Sequence, residues 1–161
     1  MKFKFRQGNN FNISKNGLMA TKYGNTGWNC AIVGDKEIPK EKISRWKIKI
    51  NKNVSTNYND FYIGIGPKSF KGSLYNECWS IFSAHSKIEI QIKGKNSNYN
   101  NQNIILKEGD IIEIIVDRKL GNLSFAINDI NYGIACSTIP KDDELYPTII
   151  LYEQNLSVEI I

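Results

Sequence analysis

Along Lys87-Ile88-Glu89-Ile90-Gln91-Ile92-Lys93, apolar and polar residues alternate with period two. In an extended strand that period puts the three isoleucines on one face and the polar side chains on the other. Trp46-Lys47-Ile48-Lys49-Ile50 repeats the pattern with Trp46, Ile48 and Ile50 inward. Phe61, Ile63 and Ile65 make a third face, with Gly64 and Gly66 permitting close approach on the other side. Leu123, Phe125 and Ile127 make a fourth. The runs Ile111–Val116 and Thr148–Leu151 are almost wholly apolar, which predicts strands buried on both faces. Between them lie turn sequences: Asp117–Asn122, where Gly121 supplies a positive φ, and the tighter Asn128-Asp129. No apolar stripe recurs at i, i+3, i+4 and i+7, so almost no helix is expected. Two polar stretches, Asn51–Asp60 and Gly94–Asn103, are expected as long loops, the second anchored only by Tyr99. The pattern as a whole predicts an all-β sandwich or barrel.

A chain of 161 residues suits one domain, and a domain of ~150 residues buries about two-thirds of its unfolded surface. With 41% hydrophobic and 23% charged residues, the composition excludes disordered, collagenous and disulfide-scaffold classes, and no apolar stretch suits a membrane span. The three cysteines, Cys30, Cys78 and Cys136, are far apart and form no zinc motif or disulfide framework. No signal-peptide pattern opens the sequence, so a cytoplasmic or nuclear location is expected. The net charge of +5 comes from 18 lysines and only 3 arginines, spread among Glu and Asp. With 20 Asn and 26 Ile, this is a chain-wide bias rather than a phosphate-binding face, which argues against a nucleic-acid partner.

The last third of the chain brings a resemblance into view. Gly109-Asp110 opens a strand, Asp117 precedes a turn, and Gly121-Asn122-Leu123-Ser124-Phe125 runs on to Asn128. Gly133-Ile134-Ala135 and Leu145-Tyr146-Pro147 follow. Together with Trp46–Ile50, Phe61–Gly66 and Cys78-Trp79-Ser80, these segments resemble the SPRY (B30.2-type) domain family over roughly residues 17–161. The sequence departs from the family in reading Asn128-Asp129 where Asn-Gly is usual, in its Asn-rich stretch, and in a weak match near the N-terminus. The resemblance implies a two-sheet antiparallel β-sandwich of the concanavalin-like jelly-roll type. It also implies one domain over residues 1–161, with 1–16 as its less defined edge, excised from a larger protein. Trp46 and Trp79 are expected in the core, because large aromatics dominate sandwich cores.

Candidate chemistry is sparse. His85 is the sole histidine; Ser83-Ala84-His85-Ser86 lies in a predicted loop, and no GxSxG elbow occurs. The acidic strings Asp142-Asp143-Glu144 and Lys107–Asp110 fit a solvated turn and a strand start, without calcium-loop spacing. Gly64-Ile65-Gly66-Pro67 has no P-loop continuation. No catalytic residue, metal or cofactor is therefore expected. What remains is the loop surface, where Tyr and Trp provide contact area at low entropic cost. The candidate partner-binding residues are Lys22, Tyr23 and Asn25; Tyr58, Asn59 and Asp60; Tyr75; and Tyr152, Glu153 and Gln154. Trp28 stands beside the Cys30–Val33 run and is equally suited to core or surface. By resemblance to SPRY domains that capture short peptides, Tyr75 lines the pocket, Tyr152–Gln154 closes it and the Lys22–Trp28 loop forms a wall. That loop has no counterpart of the family's arginine, so an acidic, Asn-rich ligand does not follow. The reading is a monomeric, non-catalytic module binding a peptide or loop of a protein, with a substrate-receptor role in a ubiquitin ligase or a scaffolding role implied by the family. A carbohydrate-binding sandwich, using Tyr58, Asn59 and Asp60 as a platform, is the alternative.

Overall fold

A computed structural model describes residues 2–28, 30–53, 61–69, 74–84, 87–99 and 104–161, with only the backbone of Cys30, Leu74, Tyr75, Ser83 and Ala84. Within these residues the chain forms two antiparallel sheets. The first has seven strands in the order β1 (Phe11–Ile13), β2 (Met19–Lys22), β13 (Ser157–Ile160), β4 (Ile43–Lys52), β9 (Ile111–Asp117), β10 (Asn122–Ile127) and β11 (Ile130–Cys136). The second has six: β3 (Cys30–Val33), β12 (Tyr146–Leu151), β5 (Phe61–Gly66), β6 (Trp79–Ala84), β7 (Lys87–Ile92) and β8 (Lys95–Asn98). The only helical element among the described residues is a 3-10 turn, Leu74–Glu77.

The predicted alternation is met in the core between the sheets. Trp46, Ile48 and Ile50 from β4 face Phe61, Ile63 and Ile65 from β5, with Leu123, Phe125 and Ile127 from β10. Lys47, on the outward side of β4, instead meets Asp129 at 2.8 Å. Trp46 and Trp79 are both core residues, as expected. The N-terminal edge packs into the same core through Phe3, Phe5 and Phe11. Gly64 sits opposite Ser80, where an added Cβ would lie 2.0 Å from the Trp79 carbonyl oxygen. Gly121 has φ +77°, and Asn128 and Asp129 are both left-handed, so the two predicted turns form as the residues require.

Three expectations need correction. β12 is buried on both faces, but β9 only in part: Ile112, Ile114 and Val116 enter the core and Ile115 is buried on the other face, while Ile111 is half-buried and Glu113 reaches toward Arg45 at 3.7 Å. The Gly94–Asn103 stretch is not loop throughout. Lys95–Asn98 forms β8, an edge strand with every side chain exposed, and Tyr99 is buried. An edge strand needs only backbone pairing, here to β7, so its polar side chains were no obstacle. The Tyr99 hydroxyl donates to the Gly133 carbonyl at 2.6 Å and accepts from the Phe125 N–H at 3.3 Å. Likewise Asn51 and Lys52 belong to β4 rather than to a loop.

The register of the six-stranded sheet defines its two ends. Leu151 pairs with Phe61 at one end, and Ile65 pairs with Trp79 at the other. Four residue steps along β5 separate these pairs, about 13 Å of extended chain. Much of the outer face of this sheet is buried too, at Val33, Thr148, Ile150, Ser80, Phe82 and Gln91, while Tyr62 on the same face is half-buried.

Candidate functional site

Two of the loops expected to carry recognition meet at the Leu151–Phe61 end. They are Tyr23–Trp28, between β2 and β3, and Tyr152–Leu156, between β12 and β13. The Gly27 N–H donates to the Tyr152 carbonyl at 2.9 Å, and the Thr26 hydroxyl donates to Glu153 Oε2 at 2.7 Å. Asn155 takes the left-handed φ of +69° that reverses the chain, and its N–H reaches the Lys22 carbonyl at 3.0 Å. The Tyr23 N–H is held by the Asn10 carbonyl at 2.9 Å, which ties the first loop to the segment preceding β1.

Lys22, expected on the surface of this site, is completely buried. Its ammonium donates to the carbonyls of Gly27 and Leu151, the latter at 3.2 Å. A buried ammonium is tolerable only when hydrogen bonds replace its water. Its place in the last position of β2 puts the stem under the loop, so Lys22 holds the two loops together from beneath and offers no contact to a partner.

Above this post lies a continuous run of aromatic rings. Trp28 packs against Tyr152 with centroids 4.7 Å apart and against Tyr62 at 5.0 Å. Tyr62 in turn packs on Phe82 at 4.6 Å. Trp28, Tyr62 and Tyr152 are half-buried, so each presents an edge or face outward, whereas Phe82 is buried beneath them. Tyr23 is 44% exposed, and Asn25 and Gln154 are exposed; together with Glu153 these side chains supply the polar rim. The three half-buried rings come from three elements, the β2–β3 loop, the outward side of β5 and the turn after β12, and rest on Phe82 of β6.

Of the ten residues singled out from sequence, Tyr23, Asn25, Tyr152, Glu153 and Gln154 belong to this end of the sandwich. Tyr58, Asn59 and Asp60, and with them the carbohydrate-platform reading, lie outside the described residues, as does His85. Tyr75 lies in the 3-10 turn before β6, whose first residue marks the opposite end of the sheet. Its side chain is not among those described. Sequence reasoning passed over Tyr62 and Phe82. A signal was present, since both occupy the non-core positions of alternating strands, Tyr62 between Phe61 and Ile63 and Phe82 after Ile81. Aromatics at outward positions of paired strands are neighbours on one surface.

The arrangement suits contact rather than bond-making. Its rings offer apolar area with polar tips, and its rim offers amide and carboxylate hydrogen-bonding groups. Among the described residues no group of three or more His, Cys, Asp or Glu is placed to hold a metal ion.

The family model for the SPRY domain matches residues 44–161. Among solved structures, the chain is similar to the SPRY domain of human HERC1, with TM-score 0.74 and 19% identity, covering 99% of this chain and 96% of that one. It is similar to the TRIM65 PSpry domain, with TM-score 0.73 and 10% identity over 100% and 90% of the two chains. It is also similar to the NEUZ (NHR) domain in Neuralized from Drosophila melanogaster, with TM-score 0.69 and 14% identity over 99% and 90%. A search of curated protein sequences finds no match.

Proposed function

Because the chain belongs to the SPRY domain family, whose members are in general protein-interaction modules and not enzymes, we propose that it binds a short peptide or loop of a partner protein at the aromatic end of its sandwich. The observation that carries this reading is the half-buried run Trp28–Tyr62–Tyr152, framed by two loops that are hydrogen-bonded to each other. Ring surface held ready in this way loses little side-chain entropy on binding, which favours affinity from a small contact area. Trp28 and Tyr152 are the central contacts; Tyr23, Asn25, Glu153 and Gln154 set the orientation of the bound segment. In a larger protein such a module would act as a substrate receptor, for a ubiquitin ligase among other hosts, or as a scaffold part, working in the cytoplasm or nucleus.

Panning of a displayed peptide library against the purified chain tests the reading. Enriched peptides are expected to bind wild type and to lose at least about tenfold in affinity to Tyr152→Ala, the size of an interface hot spot. Tyr23→Ala is expected to weaken binding while leaving the melting temperature within a degree or two, since its side chain is largely exposed. Peptides that bind both variants as well as wild type, or a glycan array that lights up where the library does not, would remove the proposal.

A further inference from the structure

At the Ile65–Trp79 end of the six-stranded sheet, away from the aromatic run, a cleft of about 400 Å³ opens between the 3-10 turn, the β7–β8 hairpin and the loop before β12. Three carboxylates line it: Glu77 from the 3-10 turn, and Asp143 and Glu144 from the loop. Among the described residues the one cation lining it is Lys93, whose ammonium lies 4.9 Å from the centre of the Trp79 ring. In a chain of net charge +5, the described residues of this cleft carry a local excess of negative charge.

The cleft is built from fixed parts. Lys93 sits in the left-handed region at φ +46°, the first residue of the hairpin turn, and its N–H donates to the Cys78 carbonyl at 2.9 Å. The acidic loop is clamped by Arg118, fully buried, whose guanidinium donates to the carbonyls of Lys141 at 2.8 Å and Asp143 at 2.6 Å. Trp79 is only 3% exposed, yet its indole N–H has no acceptor among the described residues. Buried donors are nearly always satisfied, so this one, in a residue that lines the cleft, has hydrogen-bonding capacity left unspent.

We infer that this cleft is a second binding site, which takes an arginine side chain from a partner protein, with the guanidinium on the Trp79 ring among the three carboxylates and a carbonyl of the same segment accepting the indole N–H. The ring already carries a cation in Lys93, which is exposed and held by no carboxylate ion pair among the described residues, so it yields the seat at small cost. Arginine fits better than lysine because its flat, five-donor group stacks on an indole while bridging carboxylates from two segments.

The test is an NMR titration of the ¹⁵N-labelled chain, following the assigned indole N–H of Trp79. N-acetyl-arginine methylamide is the probe; N-acetyl-citrulline methylamide, of the same shape without charge, and N-acetyl-glutamate methylamide are the controls. The arginine probe is expected to shift the Trp79 indole signal saturably and the controls to leave it in place. Asp143→Asn with Glu144→Gln, both exposed, is expected to weaken the probe by about fivefold, and Lys93→Ala to tighten it by about twofold. An indole signal unmoved by the arginine probe, an equal shift with citrulline, a shift with the glutamate probe instead, or weaker binding by Lys93→Ala would each overturn the inference.

Discussion

Tyr99 shows how a single residue decides whether a polar stretch becomes structure. It stands in an Asn-rich segment, but its ring packs edge-on against Phe125 at 6.1 Å and its hydroxyl is engaged by Gly133 and Phe125. Burial pushes its pKa from 10.0 up to about 12. A tyrosine with a raised folded pKa resists ionisation in the fold, so the unfolded chain gives up its proton first. Stability from this group is therefore complete below pH 10 and declines as the pH rises toward 12. Tyr99→Phe is expected to cost about 1–2 kcal/mol at neutral pH, from the unmet backbone groups, and to flatten part of the decline above pH 10. Denaturant titrations of both proteins at pH 7 and at steps from 9.5 to 12 measure this; equal slopes would show that the hydroxyl is not what couples folding to pH. Lys22 teaches the converse lesson. From sequence, a lysine followed by Tyr-Gly-Asn looks solvated, and nothing local discloses the two carbonyls that draw its ammonium inward.

Among elements, β5 carries the most constraint, because its alternate positions must serve the core, the neighbouring strand and the candidate site. Gly64 is where β6 comes too near for any side chain. Gly64→Ala would place a carbon 2.0 Å from the Trp79 carbonyl oxygen, a backbone atom that cannot rotate away. The variant is expected to lose roughly 3 kcal/mol or more by forcing the β5–β6 pair apart. Equilibrium unfolding of the variant within about 1 kcal/mol of wild type would contradict this. This constraint was legible in the sequence, as were the inward faces of β4, β5, β7 and β10, because period-two alternation reports burial on one side directly. β8 was not legible: an edge strand with four exposed polar side chains has no burial to report. Nor was the aromatic run, since Trp28, Tyr62 and Tyr152 lie on three elements that only the strand order β3-β12-β5 brings side by side. The separate loops could be named in advance, and two of them do meet; the ring from β5 that links them could not.

Across the whole molecule, the six-stranded sheet presents two different chemistries at its ends. One offers rings with a rim of amides and the single carboxylate of Glu153, the other three carboxylates around a single tryptophan. The two are separated by about 13 Å of rigid, hydrogen-bonded strand, with no side chain common to both. Groups so far apart without shared partners act additively. Tyr152→Ala is thus expected to leave the response of the Trp79 indole to the arginine probe unchanged, and Asp143→Asn to leave capture of library peptides unchanged. In the double variant, the melting-temperature changes of the two single variants should sum to within the error of measurement. A departure from additivity corresponding to more than about 0.5 kcal/mol would mean that the sheet transmits strain between its ends. The two surfaces would then have to be treated as one extended site, with a partner long enough to span the sheet.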